Sequence, residues 1–341
     1  MKPNFLARRK KLMSELEKKG IDLLLTSNPQ DIFYYTGYRG LKEDKVFMLF
    51  PVDGEPKLAV SVLENEAHLR YPEIIYMKKV EDFIEPLKQC KKIGYDEKFI
   101  DAVLYQTLLN LKIKLEPVSF LLEAQRMIKD EYEIQQLRKA VEITGKVFDM
   151  VCEMLRGKSE REIANQIEIE YKKMGFESAF EPIVCAGRNT QFVHHKPNEK
   201  IVKSKDLVLI DTGCNYDGYC ADVTRMFFKR LDKKQRKVYE DLKEIRDALL
   251  PLFKADVEVK EIERMHDEFF KKMGYKPIHN FGHGVGLSIH EPLGEKLKEN
   301  MTLTLEPGIY IKNFMGCRIE DTILIRKNKA EVLSKRIPIL E

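Results

Sequence analysis

Four carboxylates stand inside apolar, strand-like runs in the second half of this chain. They restrict what it can fold into more than any other feature. Asp211 ends the run LVLID, Asp222 sits within YCADVTRMFF, Glu306 ends MTLTLE, and Glu320 sits within CRIEDTILI. Ionised acids are almost never fully buried unless they are paired or bind a metal. A salt bridge or a turn cap accounts for one such acid. Four of them, two on each of two strand pairs, exceed what Arg225 and Arg318 can neutralise. Crowded carboxylates otherwise repel one another, and some must stay protonated. Divalent cations remove that cost.

Two histidine segments add to this, the first of them a Gly-rich stretch that reads as neither plain helix nor plain strand. FGHGVGLSIHE carries His283 and His290, with Gly282, Gly284 and Gly286 around the first, and FVHHKP carries His194 and His195. Glycine lets a backbone approach a site closely. The charge of four carboxylates is matched by two divalent ions, and one neutral imidazole adds a ligand without altering the balance. Carboxylate oxygens with an imidazole suit Mn²⁺, Co²⁺, Fe²⁺ or Zn²⁺ and argue against a thiolate site. Two metals held close together can share and acidify a water for hydrolysis. Spacing and charge thus lead to a dinuclear hydrolase, and not to its substrate.

The 341 residues suggest two domains. Residues 1–125 alternate between helical and strand patterns, as in an α/β layer. A first amphipathic helix carries Phe5, Leu6, Leu12, Met13 and Leu16, and strands are expected over 21–26, 45–50 and 56–62. A long helix is expected from Asp130 to Gly157, with an apolar stripe from Ile134 through Met150 and Val151 to Leu155. A second follows over 160–174. From residue 179 strand-like runs dominate (182–187, 206–213, 219–228, 301–311 and 317–325), interrupted by helices over 233–253 and 259–273. Asp217-Gly218 marks a hairpin. The expected fold class is α+β: an α/β domain at 1–125, then a domain with a curved antiparallel sheet at 126–341.

A net charge of +4, from 59 basic and 55 acidic residues, gives no concentrated basic stripe for nucleic acid. No apolar run approaches a membrane span, and the charged N-terminus does not read as a secretory signal. The six cysteines form no CxxC pair and read as reduced, mostly buried thiols of a cytoplasmic protein. Abundant Lys and Glu with no Trp hint at a thermophilic source.

The motifs resemble those of the pita-bread metallopeptidases (M24), which include methionine aminopeptidase, aminopeptidase P and Xaa-Pro dipeptidase (prolidase). LVLIDTGCNYDGYCADVTRMFF resembles the paired-aspartate hairpin, FGHGVGLSIHE the metal-histidine motif, and LTLEPGIYI and GCRIEDTILI the two glutamate motifs. The resemblance covers essentially the whole chain. It implies two divalent ions per subunit, Mn²⁺ or Co²⁺ foremost, with Zn²⁺ or Fe²⁺ also suited. Asp211 would hold one metal, Asp222 and Glu320 would bridge both, and His283 and Glu306 would bind the second. Glu306 would also be the general base for a metal-bridging water. His194 would handle substrate and leaving-group protons, and His290 would stabilise the oxyanion. His279 is a candidate pocket residue, His195 would lie behind the site, and Arg318 would orient Glu320 or Asp222.

Within the family, GIDLLLTSNPQDIFYYTGY and RMIKDEYEIQQLRKA resemble the creatinase/prolidase N-terminal domain and linker of the Xaa-Pro enzymes. That group implies a homodimer acting on proline-containing di- or oligopeptides. The activity expected first is cleavage of Xaa-Pro dipeptides. The alternative is aminopeptidase P-like removal of the first residue from longer Xaa-Pro peptides, and a further one is a non-catalytic pita-bread binding module. PLGEKLKENMTLTL, between His290-Glu291 and Glu306, is shorter than the loop common in prolidases, which helps to fix the substrate's C-terminal carboxylate. Val193 stands where proline often precedes the active-site histidine.

Overall fold

Asn4 opens the first helix: its side-chain oxygen accepts the Ala7 N–H at 3.0 Å, satisfying a donor that a helix start leaves unpaired. The helix runs Phe5–Lys18. Leu12 and Leu16 are buried as their spacing predicts. Leu6 is exposed instead, and Arg8 is buried with its guanidinium over the Tyr34 ring. The computed structural model describes residues 2–40, 45–79 and 81–340. The chain divides into two compact units, Met1–Arg126 and Met127–Glu341.

The first unit is built on six strands: β1 (Leu23–Thr26), β2 (Phe47–Pro51), β3 (Lys57–Ser61), β4 (Ile74–Met77), β5 (Lys92–Tyr95) and β6 (Lys114–Pro117). They form one sheet in the order β4-β3-β2-β1-β5-β6. The β1–β2 and β2–β3 pairs are antiparallel, while β3–β4, β1–β5 and β5–β6 are parallel. Leu23, Leu25, Phe47, Leu49 and Ile93 of the sheet pack against Phe83, Leu104 and Leu108. This is the α/β layer expected of the region.

The second unit begins with two capped helices. Asp130 and Glu133 form a capping box for Glu131–Cys152, and Ser159 and Glu162 do the same for Glu160–Lys173. The first ends at Cys152 rather than continuing to Gly157. The intervening turn docks on the next segment, with the Gly157 N–H donating to the Val202 carbonyl and Leu155 buried. Met150 of the expected apolar stripe is exposed. Helix Lys233–Leu249 also stops short of Phe253, passing into a 3-10 turn at Leu250–Leu252 that contains Pro251, which cannot continue the α-helical bonding. The next helix is Val259–Lys272.

Eleven strands complete this unit among the described residues: β7 (Glu177–Ser178), β8 (Ile183–Ala186), β9 (Val208–Thr212), β10 (Cys214–Tyr216), β11 (Tyr219–Cys220), β12 (Val223–Phe227), β13 (Thr302–Leu305), β14 (Gly308–Ile311), β15 (Met315–Arg318), β16 (Asp321–Ile325) and β17 (Ala330–Val332). They form the sheets β12-β9-β8, β11-β10-β7, β13-β16-β17 and β14-β15, with every pair antiparallel. Asp217 (φ 50°) and Gly218 (φ 83°) make the two-residue hairpin turn between β10 and β11. Helices Glu131–Cys152 and Glu160–Lys173 bury Val141, Phe148, Ile163 and Ile167 with Val184, Val208, Ile210 and Val223 of the sheets.

The long apolar runs are not continuous strands. They break at Gly213, at Ala221–Asp222, at Glu306–Pro307 and at Ile319–Glu320, where each chain leaves one short sheet and enters another. Strands commonly turn such corners through bends. Three of the four carboxylates occupy these corners. The six cysteines are free thiols, and Cys185, Cys214, Cys220 and Cys317 are buried.

Candidate active site

Strand pairing brings the four acids together. Asp211 lies on β9 opposite Thr224 of β12, and Asp222 sits just before β12. The corner is tight: a Cβ on Gly213 would meet the Ala221 carbonyl oxygen at 1.7 Å, so only glycine fits. The Glu320 N–H donates to the Thr224 carbonyl at 3.2 Å, joining the second strand pair to the first. Segment 281–283 pairs beside β13: the Glu306 N–H donates to Phe281 O and the Thr304 N–H to His283 O, both at 2.8 Å. His283 and Glu306 therefore become neighbours.

Asp222, His283 and Glu320 each offer a ligand atom within 4.8 Å of the others. His283 Nε2 also lies 3.4 Å from Glu306 Oε1 and 3.6 Å from Asp222 Oδ2. The Nδ1–H of His283 donates to the Gly284 carbonyl at 3.0 Å, which leaves the Nε2 lone pair facing the acids. Burial lowers its pKa to about 4, so this imidazole is neutral and able to ligate. Burial and the neighbouring Glu320 carboxylate push Asp222 well above the usual carboxylate range. Burial and Glu306 do the same to Glu320. Glu306 is raised to about 7, chiefly by burial. Asp211 Oδ1 is buried without a hydrogen-bond partner. Repelling carboxylates, an orphaned oxygen and an aimed imidazole lone pair fit divalent cations.

Arg318 differs from expectation. Its guanidinium pairs with Asp211, donating from Nη2 to Oδ2 at 2.6 Å, rather than with Glu320 or Asp222. It reaches Glu320 indirectly: Nε donates to Thr224 Oγ1 at 3.0 Å, and that hydroxyl donates to Glu320 Oε2 at 2.7 Å. Nη1 donates to the Tyr310 hydroxyl at 2.8 Å. Arg225 neutralises none of the four acids. It pairs with Asp321 at 2.7 Å and donates to the Glu320 carbonyl at 2.6 Å, pinning the corner from behind.

The four acids, His283 and Arg318 line a cavity of about 420 Å³ that also includes His194, His279 and His290, with Phe180, Ile183, Val193 and Ile289 as apolar walls. The His283 and His290 rings are 4.2 Å apart, centroid to centroid. Burial lowers the pKa of His290, and brings that of His279 down to about 4. His279 Nδ1–H donates to Asn280 O, leaving Nε2 to accept the Tyr310 hydroxyl at 3.1 Å. His195 is not among the lining residues; its Nε2 lies 2.7 Å from the buried carboxylate of Glu160. Thr224, Thr304 and Tyr310 escaped the sequence reading. Buried threonines beside acids in apolar strands were the available signal; Tyr310 in GIYI carried none.

The two-unit fold and its acid-rich cavity are those of a metallopeptidase with an accessory N-terminal domain. Residues 8–128 match the creatinase/prolidase N-terminal domain and residues 135–327 match metallopeptidase family M24; the chain belongs to that family and is a peptidase. It is 33% identical to the Xaa-Pro dipeptidase of Pyrococcus furiosus over 350 residues, covering 96% of this chain and 97% of that one. Among solved structures it resembles an Xaa-Pro dipeptidase from Bacillus anthracis, with a TM-score of 0.90 and 26% identity over 99% of both chains. An X-Pro aminopeptidase from Thermotoga maritima matches with a TM-score of 0.86 and 27% identity, over 96% of this chain and 97% of that one.

Proposed function

We propose that this peptidase hydrolyses the bond between an N-terminal residue and proline, in Xaa-Pro dipeptides first of all. The observation that carries the reading is the meeting of Asp222, His283 and Glu320 within 4.8 Å inside a cavity that Asp211 and Glu306 also line. Asp211 would hold one divalent ion, Asp222 and Glu320 both, and His283 and Glu306 the other, with Mn²⁺ or Co²⁺ the expected identity. When bound, the ions supply Lewis acidity that activates water and polarises the peptide carbonyl.

The chain's own residues do the rest. Glu306 takes the proton of the attacking water; burial, the largest cause, raises its carboxyl to about 7 before any cation binds. His290 donates to the oxygen on which negative charge develops, and His194 passes a proton to the leaving nitrogen. Because Arg318 neutralises one of the four acids, the site would carry a net positive charge once two divalent ions were held, and that would favour the oxyanion. The apolar walls Phe180, Ile183, Val193 and Ile289 suit a pyrrolidine ring. The homodimer expected from the resemblance belongs to the same reading.

A second reading, aminopeptidase P-like cleavage of longer peptides, is favoured by one observation. Among the described residues that line the cavity, Arg318 is the one Lys or Arg, and it is held by Asp211, Thr224 and Tyr310. It is not free to take a dipeptide's C-terminal carboxylate. Mass spectrometry of an Xaa-Pro dipeptide and an Xaa-Pro-Xaa tripeptide, incubated with Mn²⁺-loaded protein with and without chelator, separates the two. Chelator-sensitive loss of the dipeptide supports the first reading, and loss mainly of the tripeptide supports the second. Cleavage of neither sinks both.

A further inference from the structure

Outside the cavity, one fully buried carboxylate gathers an unusual number of donors. Glu160, the first residue of helix Glu160–Lys173, is 0% exposed. Its Oε1 accepts the Ala186 N–H at 2.7 Å and the Asn189 side-chain amide at 2.9 Å. Its Oε2 accepts that amide at 3.1 Å, His195 Nε2 at 2.7 Å and the Asn198 N–H at 3.3 Å. All these donors come from residues 186–198, the segment that leaves β8 and carries His194 past the cavity. Glu160 thus holds the segment at Ala186, Asn189, His195 and Asn198 through charge-assisted bonds, while Thr190 and Gln191 accept the Gly316 and Asn313 N–H groups.

One of the two shortest of these bonds falls beside His194. Residues 193–194 form a turn whose side chains line the cavity, while His195 turns back onto Glu160 with Phe192 stacked over its ring at 6.1 Å. Arg318 Nη1 reaches the Val193 carbonyl only at 3.5 Å. The short His195–Glu160 bond therefore fixes which of two adjacent histidines faces the cavity. We propose that Glu160, acting through His195, is a positioning residue for His194. The proposal rests on the role given to His194 above. Its chemical logic is ordinary: a reacting group must be held within a fraction of an ångström of its productive place by partners that are themselves locked.

The test uses the full-length Mn²⁺-loaded enzyme on Ala-Pro and Ala-Pro-Ala, with His195→Ala, His195→Gln and Glu160→Gln, each alone and combined with His194→Ala. His195→Ala should lower kcat by about tenfold to a hundredfold with little change in KM, the scale of a small misplacement. His195→Gln, whose amide N–H reaches as far as Nε2, should recover most of it. In the His194→Ala background neither change at 195 nor Glu160→Gln should add to the loss, because the residues act as one unit. Bound Mn²⁺ per chain should stay at the wild-type value. Losses that multiply, or a fall in bound Mn²⁺, would overturn the proposal, as would wild-type kcat for His195→Ala when His194→Ala is impaired. Wild-type kcat for His194→Ala would remove the role of His194, and this proposal with it. A crystal structure of His195→Ala gives a readout independent of substrate: His194 displaced from the cavity supports the proposal, and His194 in place contradicts it.

Discussion

At the scale of single residues, burial decides what the His283 imidazole can do. His283 is neutral because burial disfavours the imidazolium, and its free lone pair is chosen by the Gly284 carbonyl. Thr224 is the hinge between Arg318 and Glu320, accepting from one and donating to the other. Thr224→Val should leave a buried donor and acceptor unmatched, lowering stability by about 1–3 kcal/mol and weakening Mn²⁺ binding in a calorimetric titration. Glu306→Gln keeps the shape and removes the proposed base, which is also a proposed metal ligand; kcat should fall by roughly a hundredfold to ten-thousandfold, read by steady-state kinetics at saturating Mn²⁺. The carboxylates were legible in the sequence because an acid in an apolar run has few explanations. The partner of Arg318 was not: Asp211 lies 107 residues away, and nothing local distinguishes it from Glu320 or Asp222.

At the scale of elements, the acids are aimed by corners. Asp222, Glu306 and Glu320 stand where a strand leaves one sheet for another, so their side chains escape the ladder's strict alternation of faces. The apolar pattern continues through Asp222 and Glu320 without interruption, so it read as single long strands. The change of sheet is a tertiary event with no period of its own. The Asp-Gly hairpin was legible because its turn chemistry is local. Glu160, by contrast, read as an ordinary first residue of a helix, and its partners become visible only when the segment folds back on it. Gly213→Ala tests the corner directly. The added methyl meets the Ala221 carbonyl, so stability should fall by about 1–3 kcal/mol or more in a denaturant titration. Bound Mn²⁺ should drop with it, because Asp222 follows Ala221 in the chain.

At the scale of the whole molecule, the same burial that readies the site works against the metal-free fold. A carboxylate whose folded pKa is raised stabilises the fold fully below its unfolded value, and that contribution is lost as pH rises through the folded value. Glu306 moves from 4.5 to about 7, and Asp222 and Glu320 move in the same direction. The buried neutral histidines oppose this at lower pH. His279 and His283, lowered from 6.5 to about 4, add stability as pH rises over that window and nothing further above it. Chelated protein should therefore lose thermal stability as pH rises from about 6.5 through 7 and beyond, whereas Mn²⁺-loaded protein should not. Scanning calorimetry of both forms over that range checks the sign. No helix among the described residues is long and apolar enough to cross a membrane. The first unit, of which β1, β2 and β3 were legible in the sequence and β4, β5 and β6 were not, accompanies the M24 domain in a fold shared with Xaa-Pro peptidases. On the proposed ligand set, the buried acids are there for cations. Equilibrium dialysis against Mn²⁺ followed by elemental analysis measures that uptake. Two ions per chain are expected in the wild type and a loss of uptake in Asp222→Asn, with the fold retained by circular dichroism. Folded wild-type protein that takes up no stoichiometric metal would contradict that ligand set.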